Sequence, residues 1–194
     1  MPVVLVDDRV ARSLGDTETP QGVFAVVEQP RHRLETVLGG NPRNIAVLCG
    51  AADPGNAGTV IRTADAAGAD AVVLTRGSTD AFSGKCVRAS AGSLFHLPVV
   101  TGVAIGPTMT ALQEAGLTVL ATTLDGDSVE DLDDVLAGPV AWLFGNEARG
   151  LGDDVVSSAD RAVRVPIRGR AESLNLAAAA AVCLYATSRA QHRR

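Results

Sequence analysis

The stretch Val140-Ala141-Trp142-Leu143-Phe144-Gly145-Asn146-Glu147-Ala148-Arg149-Gly150-Leu151 joins a continuous apolar run to a polar loop that contains glycine. An apolar run of this length, bounded by turn residues, is typical of a strand buried on both faces of a parallel sheet. Residues 45–49 form another apolar run, before a polar segment at residues 50–58, and a further predicted strand at residues 161–166 precedes the polar segment at residues 173–175. Loops after the strands of an open α/β sheet form its ligand crevice, so we expect the three polar segments to converge on one site.

Strand-like and helix-like segments alternate along most of the chain. Strands are predicted at residues 45–49, 70–75, 95–100, 117–122, 140–144 and 161–166, and helices at residues 57–67, 83–91, 107–115 and 173–190. Proline at the first turn and glycine just past the end support the helix at 107–115. This alternation predicts an α/β fold with a mainly parallel sheet and helices on both faces.

Residues 1–41 differ from the rest of the chain. They contain a charged start, a turn-rich centre at residues 15–22 and one predicted strand at residues 23–28. This is too little apolar sequence for an independent core. We expect an N-terminal extension at 1–41, which either packs on the sheet or remains from a larger domain, followed by one domain at 42–194.

Composition narrows the class of protein. The chain has 194 residues, of which 46% are hydrophobic, enough for one well-buried domain. The longest apolar run, residues 176–184, is too short to span a bilayer, and the N-terminus lacks the features of a secretory signal, so a cytoplasmic protein is predicted. Cys49, Cys86 and Cys183 are expected to be reduced thiols, and three isolated histidines predict no metal site.

A net charge of −5 argues against a broadly basic nucleic-acid-binding surface. Any contact with RNA is therefore expected to be local. The basic residues in or beside the predicted strand-end loops are Arg62, Arg76, Lys85, Arg88, Arg149, Arg168 and Arg170. Solvated surface charge remains an equal alternative for Arg76, Lys85 and Arg168.

The loop at residues 50–58 lacks both the GxGxxG pattern and the GK[ST] ending of phosphate-binding loops. Dinucleotide binding and P-loop NTPase activity therefore lose support. A structural alternative stays open, in which Gly55 and Gly58 serve a tight turn and Asn56 and Ser173 are ordinary helix caps. That alternative does not explain Arg62, six residues after Asn56 on the predicted helix.

Taken together, the three segments resemble the three motifs of the SpoU (TrmH) family of RNA ribose methyltransferases in the SPOUT superfamily. The matching residues are 56–64, then 143–151, then 165–167 with 173–175, and the likeness extends over residues 44–190. Residues 16–26 resemble the end of the ribosomal-protein-like RNA-binding domain of longer members. The resemblance thus implies that 1–41 is the remnant of an RNA substrate-binding domain and 42–194 is the methyltransferase catalytic domain.

The resemblance implies an α/β knot, in which the C-terminal segment forms a trefoil knot around S-adenosylmethionine, the methyl donor. Backbone groups near Thr122, Gly145, Val165 and Leu174 are expected to hold the adenosine, and Ile167 to line the pocket. Gly145 is expected to be glycine because a ligand pressed against the backbone leaves no room for a side chain.

The implied reaction is methyl transfer to a ribose 2′-hydroxyl, the group that distinguishes RNA from DNA. Arg62 matches the family's catalytic arginine, often described as a general base, but a guanidinium stays protonated in proteins. We expect it to hold the adjoining phosphate and stabilise the developing alkoxide; an arginine with a strongly shifted pKa is the rival account. Asn56, Glu147, Ser173 and Asn175 are expected to position Arg62 and the ribose.

Family members act as homodimers with sites at the subunit interface, so the resemblance implies a twofold dimer. RNA is the implied partner, with ribosomal RNA favoured over transfer RNA. Two alternatives stay open: a non-catalytic RNA-binding or ribosome-assembly module that retains the fold, and an α/β enzyme that uses another nucleotide. The five polar residues of the three motifs argue against a scaffold, which has no need of all of them.

Overall fold

The computed structural model of the protein describes residues 2–15, 17, 19 and 21–192. Six strands form one sheet in this part of the chain: β1 (Asn44–Leu48), β2 (Ala71–Thr75), β3 (Val99–Val103), β4 (Thr118–Ser128), β5 (Val140–Phe144) and β6 (Arg161–Arg164). The strand order is β3-β2-β1-β5-β4-β6, and every pair of neighbours is parallel. The predicted α/β fold with a mainly parallel sheet is confirmed.

The strand order reverses beside β1. The chain places β2 and β3 on one side of β1, then crosses to the other side, where β5 lies between β1 and β4. Leu48 and Phe144 are partners at the carboxyl ends of β1 and β5. The loops after these two strands therefore leave the sheet side by side, where open α/β sheets bind ligands.

Eight α-helices connect and flank the strands of the described chain: α1 (Asp8–Leu14), α2 (Leu34–Leu38), α3 (Pro54–Ala66), α4 (Gly84–Ser90), α5 (Ile105–Glu114), α6 (Asp133–Leu136), α7 (Asp153–Ser158) and α8 (Leu176–Gln191). Single 3-10 turns lie at Ser93–Phe95 and Val129–Asp131. Successive side chains of a strand point to opposite faces of the sheet. Ala46 and Leu48 of β1 accordingly join a cluster with α3, α4 and α8, whereas Ile45 and Val47 join one with α2 and α5. Helices cover both faces, as predicted.

Several element boundaries differ from the prediction. The third strand begins at Val99 rather than at residue 95, because Ala91 and Gly92 have positive φ angles of 49° and 97° and Ser93–Phe95 form a 3-10 turn. The fourth strand continues to Ser128, and its pairing with β6 shifts register between Thr122 and Asp127. The knotted threading of the C-terminal segment stays a prediction.

The glycines of the first loop do not serve a turn. Gly55 and Gly58 lie inside α3, which begins at Pro54, not at residue 57. A Cβ atom on Gly58 would lie 2.4 Å from the backbone oxygen of Cys86 in α4. Glycine at this position therefore allows α3 and α4 to pack closely, and the open alternative of a tight turn is wrong for both residues.

The predicted strand at residues 23–28 is wrong. These residues are exposed and pair with no strand in the described part of the chain. β-propensity reflects packing on a half-buried surface rather than an intrinsic backbone preference, and this segment lacks such a surface. The turn predicted at 15–22 includes Asp16, Glu18 and Pro20, which lie outside the described residues. The division between 1–41 and 42–194 stays a prediction.

The three cysteines are free, as expected. Burial raises the pKa of the Cys49 and Cys183 thiols to about 12 and that of Cys86 to about 11. Protonated thiols of this kind are poor nucleophiles and poor metal ligands. Among the described residues, no helix is both long enough and apolar enough to cross a membrane.

Candidate active site

A cavity of about 990 Å³ opens at the carboxyl ends of β4 and β5, beside the start of α8. The residues predicted to hold a methyl donor all line it: Thr122, Gly145, Val165, Ile167 and Leu174. They come from β4 and from the two loops that follow β5 and β6, which the parallel sheet brings to one edge. Thr122 also ties two strands together, because its hydroxyl donates a 2.8 Å hydrogen bond to the backbone oxygen of Leu143.

Four of the five residues predicted to act in catalysis line the same cavity: Asn56, Glu147, Ser173 and Asn175. The exception is Arg62, which is exposed on α3 and does not line the cavity. The structure therefore brings nine of the ten predicted residues together. Their individual roles stay predictions.

Glu147 anchors the loop between β1 and α3. Its carboxylate accepts hydrogen bonds from the Asn56 amide at 3.0 Å and from the backbone N–H groups of Ala52 at 3.0 Å and Asp53 at 3.2 Å. Partial burial raises the pKa of this carboxyl, but the hydrogen bonds outweigh burial and hold the pKa below its usual range. Glu147 is therefore ionised at neutral pH and is occupied as an acceptor.

Asn56 and Asn175 continue the hydrogen bonds of Glu147 to the start of α8. The side-chain oxygen of Asn56 accepts a 3.0 Å hydrogen bond from the Asn175 amide nitrogen. The side-chain oxygen of Asn175 in turn accepts from the backbone N–H groups of Ala177 at 2.8 Å and Ala178 at 3.4 Å. Glu147, Asn56, Asn175 and the first turn of α8 thus form one hydrogen-bonded chain, which we call the polar relay. These residues hydrogen-bond to one another, and none of them hydrogen-bonds to the Arg62 side chain.

The helix caps differ from the structural alternative left open by the sequence. Asn175, not Ser173, caps α8. Asp53, not Asn56, caps α3, and its carboxylate accepts from the Gly55 N–H at 2.7 Å. A hydrogen bond from Lys85, also at 2.7 Å, is the first cause that holds the pKa of the Asp53 carboxyl below its usual range, followed by the Gly55 N–H. Lys85 is therefore paired, although it remains exposed.

Asn146 is a site residue that the sequence reasoning missed. Its amide nitrogen donates a 2.8 Å hydrogen bond to the backbone oxygen of Gly50, and its side-chain oxygen accepts from Ala148 and Arg149 N–H groups. Asn146 therefore shapes the loop after β5 and joins it to the loop after β1. Its position directly after Gly145, in a loop where asparagine often bonds its own backbone, was a usable signal.

The fold of the loop itself also requires glycine at position 145. A Cβ atom at this position would lie 2.3 Å from the backbone carbon of Gly150 and 2.5 Å from the nitrogen of Leu151. The loop folds back on itself here, since Asn146 and Gly150 also exchange backbone hydrogen bonds of 3.1 and 2.8 Å. The absent side chain makes room for the loop itself, and the expected contact with a ligand stays a prediction.

The exposed cationic side chains differ in whether another residue of the chain bonds to them. Arg168 forms an ion pair with Glu130 at 2.7 Å, and Arg76 donates to the backbone oxygen of Gly102 at 3.2 Å. The Arg62 side chain has no hydrogen-bonding or ionic partner among the residues that the structure describes. Nothing within the described chain holds its guanidinium, which is consistent with a group that meets an external anion.

The cavity can bind a ligand with both apolar and polar parts. Val165, Ile167 and Leu174 supply apolar surface, while the backbone at the strand ends supplies hydrogen-bonding groups. Over residues 2–15, 17, 19 and 21–192, no group of three or more His, Cys, Asp or Glu side chains is arranged to hold a metal ion. The arrangement suits a reaction that depends on positioning and electrostatics.

Comparison with known proteins agrees with this geometry. The sequence model described as "SpoU rRNA Methylase family" matches residues 43–185. The 23S rRNA (guanosine(2553)-2′-O)-methyltransferase RlmP of Bacillus subtilis is 40% identical over 171 residues, which cover 88% of this chain and 66% of the relative. The 23S rRNA (guanosine-2′-O-)-methyltransferase RlmB of Nitrosomonas europaea is 32% identical over 197 residues, covering 99% and 75%.

Solved structures agree as well. An rRNA methyltransferase from Sinorhizobium meliloti, described as AdoMet bound, superposes with a TM-score of 0.85 at 36% identity, covering 94% of this chain and 70% of that one. The SpoU methyltransferase AviRb from Streptomyces viridochromogenes has a TM-score of 0.74 at 32% identity, covering 84% and 65%. The chain spans about two thirds of the length of RlmP and of AviRb. On the evidence of its three motifs, its sheet topology and these matches, the chain belongs to the SpoU rRNA methylase family.

Proposed function

We propose that the protein transfers a methyl group from S-adenosylmethionine to a ribose 2′-hydroxyl of RNA, most readily of ribosomal RNA. The observation that carries this proposal is the convergence of eight predicted residues from the three motifs, together with Thr122 of β4, on one cavity at the carboxyl ends of β4 and β5. The names of the two relatives above, both 23S rRNA 2′-O-methyltransferases, support ribosomal RNA as the substrate. An RNA substrate also supports a cytoplasmic location.

The cavity fits the proposed donor in size and chemistry. Its volume of about 990 Å³ lies at the upper end of the roughly 300–1,000 Å³ of small-ligand sites. The apolar side chains of Val165, Ile167 and Leu174 suit an adenine ring, and the backbone around Thr122 and Gly145 offers hydrogen bonds to polar ends. When bound, S-adenosylmethionine supplies a methyl group on a positively charged sulfur, which is the electrophile of the reaction.

The chain's own residues then have to bring the ribose and its phosphate to this cavity. Arg62 is a permanent cation without a partner in the described chain, so it is available to hold the RNA phosphate and to stabilise negative charge on the 2′-oxygen. The proton leaves through that phosphate or through water, because a guanidinium does not accept it. The polar relay keeps α3, which carries Arg62, fixed relative to the start of α8.

A twofold homodimer is part of the proposal. Leu174, two residues before α8, and Val182 and Tyr185 on α8 are 41%, 42% and 53% exposed. Exposed large apolar side chains near a ligand cavity are typical of a surface that another protein covers. A second copy that covers this surface would place the two cavities at the interface. Arg62 of one copy would then contribute to a site that one chain alone does not complete.

The N-terminal residues 1–41 are proposed to belong to an RNA substrate-binding region. Apart from Leu34, which packs under the sheet with Ile45, they contribute little to the core. Their exposed apolar and basic side chains are consistent with a role in contacting another molecule. The further inference below concerns this region.

Methyl transfer to separate pools of ribosomal RNA and transfer RNA tests the proposal. Labelled S-adenosylmethionine is supplied, and the RNA is then digested with alkali, which does not cleave after a 2′-O-methylated nucleotide. We expect label from ribosomal RNA in alkali-resistant dinucleotides, and none with Arg62→Ala. Label in mononucleotides would indicate base methylation. Label confined to transfer RNA would make transfer RNA, not ribosomal RNA, the substrate. Donor binding without transfer to either pool would favour a non-catalytic scaffold.

A further inference from the structure

A second cavity, of about 480 Å³, lies between the N-terminal segment and the α4 side of the domain. The residues that line it are Ala25, Val27, Gln29, Pro30, Phe82, Val87, Leu94 and Phe95. Leu94 is buried in the core, and Phe82 and Val87 pack against the same core, so this side is a firm floor. Phe95 is 53% exposed at the rim. We call this cavity the aromatic groove.

The N-terminal wall of the aromatic groove presents one defined face. Ala25, Val27 and Gln29 line the groove, whereas Val26 and Glu28 between them do not. Side chains of extended backbone alternate between two faces, so this spacing is the one an ordered extended segment produces. Val26 on the opposite face is fully exposed. Substitutions at Val26, which points away from the groove, and at Val27, which lines it, can therefore be compared.

Aromatic side chains are scarce in this chain and concentrated here. Of the six, Trp142 and Phe144 stack in the core, with ring centroids 6.3 Å apart, and Tyr185 lies on α8. The other three are Phe24, Phe82 and Phe95, of which two line the groove and one directly precedes its N-terminal wall. An exposed ring such as that of Phe95 provides a flat apolar face on which another flat ring can stack.

The surroundings of the groove are basic although the chain as a whole is acidic. Residues 24–33 and 82–96 together contain four Lys or Arg side chains and one carboxylate, Glu28, in a chain of net charge −5. The four cations are Arg31, Arg33, Lys85 and Arg88. Lys85 is held by Asp53, but Arg31 and Arg33 are exposed, directly follow the groove wall and have no ionic partner among the described residues. This local excess of positive charge suits a polyanion.

We propose that the aromatic groove binds an unpaired base of the RNA substrate, with the base stacked on Phe95 and the adjoining phosphates contacted by Arg31 and Arg33. The proposal rests on the proposed function, since it assigns part of the RNA to this surface. Unpaired bases stacked on aromatic side chains, with basic residues along the backbone, are the usual chemistry of single-stranded RNA recognition. A membrane or an acidic protein would account for the cations but not for a recess with an aromatic rim.

Binding of a single-stranded oligoribonucleotide of adenosines tests this proposal. One adenosine is replaced by 2-aminopurine, whose fluorescence falls when the base stacks on a ring, and an abasic oligomer of equal length serves as a second probe. We expect the wild-type protein to quench 2-aminopurine and to bind the abasic oligomer more weakly. Phe95→Leu keeps apolar volume but removes the ring, so its affinity is expected to fall by about 5- to 100-fold with loss of quenching.

Matched variants separate the groove from general effects. Val26→Ser changes the exposed outer face and is expected to bind like the wild type, whereas Val27→Ser is expected to weaken binding. Arg31→Ala and Arg33→Ala are each expected to lower the slope of log affinity against log salt by about 1, as loss of a phosphate contact does. Thermal unfolding is measured for every variant, because an exposed-residue change should leave it unaltered.

The outcomes distinguish this proposal from the proposed function. Unchanged affinity and quenching in Phe95→Leu, in a protein that still methylates RNA, would overturn the groove and leave the reaction intact. A wild-type protein that neither binds RNA nor transfers methyl would overturn both. A loss of dimerisation in Phe95→Leu, measured by light scattering, would assign the groove to a second copy of the chain instead.

Discussion

The polar relay and the outer face of α3 meet in one helix, because Asn56 of the relay lies six residues before Arg62, but their polar side chains have opposite environments. In the relay, Glu147, Asn56 and Asn175 bond to one another and to backbone N–H groups, so each is held by the chain itself. On the outer face, Arg62 has no partner among the described residues. The difference separates groups that build the site from a group that is available to the substrate.

This difference makes the two regions distinguishable by experiment. Variants in the relay should change the shape of the loops and therefore donor binding and stability. Variants at Arg62 should change the reaction and leave both of these properties unaltered. The predictions below test that division, from the largest expected effect on methyl transfer to the smallest.

Arg62→Ala is expected to reduce the single-turnover rate of methyl transfer by about 10²- to 10³-fold, the size of effect seen when one preorganised donor to a developing anion is lost. The affinity for S-adenosylmethionine, measured by calorimetry, and the midpoint of thermal unfolding should not change, because the side chain has no partner to lose. Arg189→Ala, which removes an exposed arginine from the last turn of α8, is the control. A weakened donor affinity in Arg62→Ala would join Arg62 to the relay and break the division.

Gly145→Ala is expected to lower methyl transfer by about 10²-fold, because a shift of about 1 Å in a positioned group can cost that much. The new Cβ atom would lie 2.3 Å from the Gly150 backbone, so the loop after β5 has to move. Donor affinity and the unfolding midpoint should both fall. Gly106→Ala, where no heavy atom lies within 4 Å of the new Cβ, controls for the change from glycine to alanine. A Gly145→Ala protein with normal donor affinity would show that the loop tolerates the displacement.

Glu147→Gln is expected to reduce methyl transfer by roughly 10-fold and the free energy of unfolding by about 1–2 kcal/mol. Glutamine replaces one acceptor oxygen with a donor, so it does not accept from Asn56, Ala52 and Asp53 together. Urea unfolding at neutral pH measures the stability change, with Glu114→Gln at the exposed end of α5 as the control. Equal loss of stability in both variants would argue against a special role for the relay.

The contribution of Glu147 to stability is expected to depend on pH. Its pKa in the folded protein is below the ordinary value of 4.5 for an unfolded glutamate, so the folded state favours the ionised form. The stability difference between the wild type and Glu147→Gln should be fully present above this ordinary value and should disappear as the pH falls through the lower folded pKa. Urea unfolding of both proteins from pH 7 down to pH 3 measures it. A difference that persists below both pKa values would mean that the carboxylate charge is not its source.

Lys85→Met is expected to have the smallest effect. The Lys85–Asp53 pair joins side chains that are 59% and 47% exposed, and exposed ion pairs contribute little to stability. Donor affinity and transfer at saturating RNA should therefore change by less than about threefold, because the Gly55 N–H still bonds to the Asp53 cap. Lys85→Arg should behave like the wild type. A large loss of transfer in Lys85→Met would place Lys85 among the residues that position Asn56.

Most of the fold was predictable because local patterns and tertiary contacts agree. Apolar runs such as residues 140–144 became buried parallel strands, and the three motifs located eight cavity residues. The predictions failed where a local sequence pattern had no matching tertiary contact. Residues 23–28 have a strand-like composition but no neighbouring strand, and the close approach of Gly145 to Gly150 is a contact that the sequence alone does not display.

The sequence by itself determined the alternation of strands and helices, the three motifs and therefore the family, because periodicity and motif order are properties of the linear chain. Only the tertiary structure decided that β5 lies beside β1, that Asp53 and Asn175 are the helix caps, and that Glu147, Asn56 and Asn175 form one relay. These contacts join residues up to 119 positions apart. Their geometry depends on how the strands are ordered in the sheet, and strand order follows from packing of the whole domain rather than from any local segment.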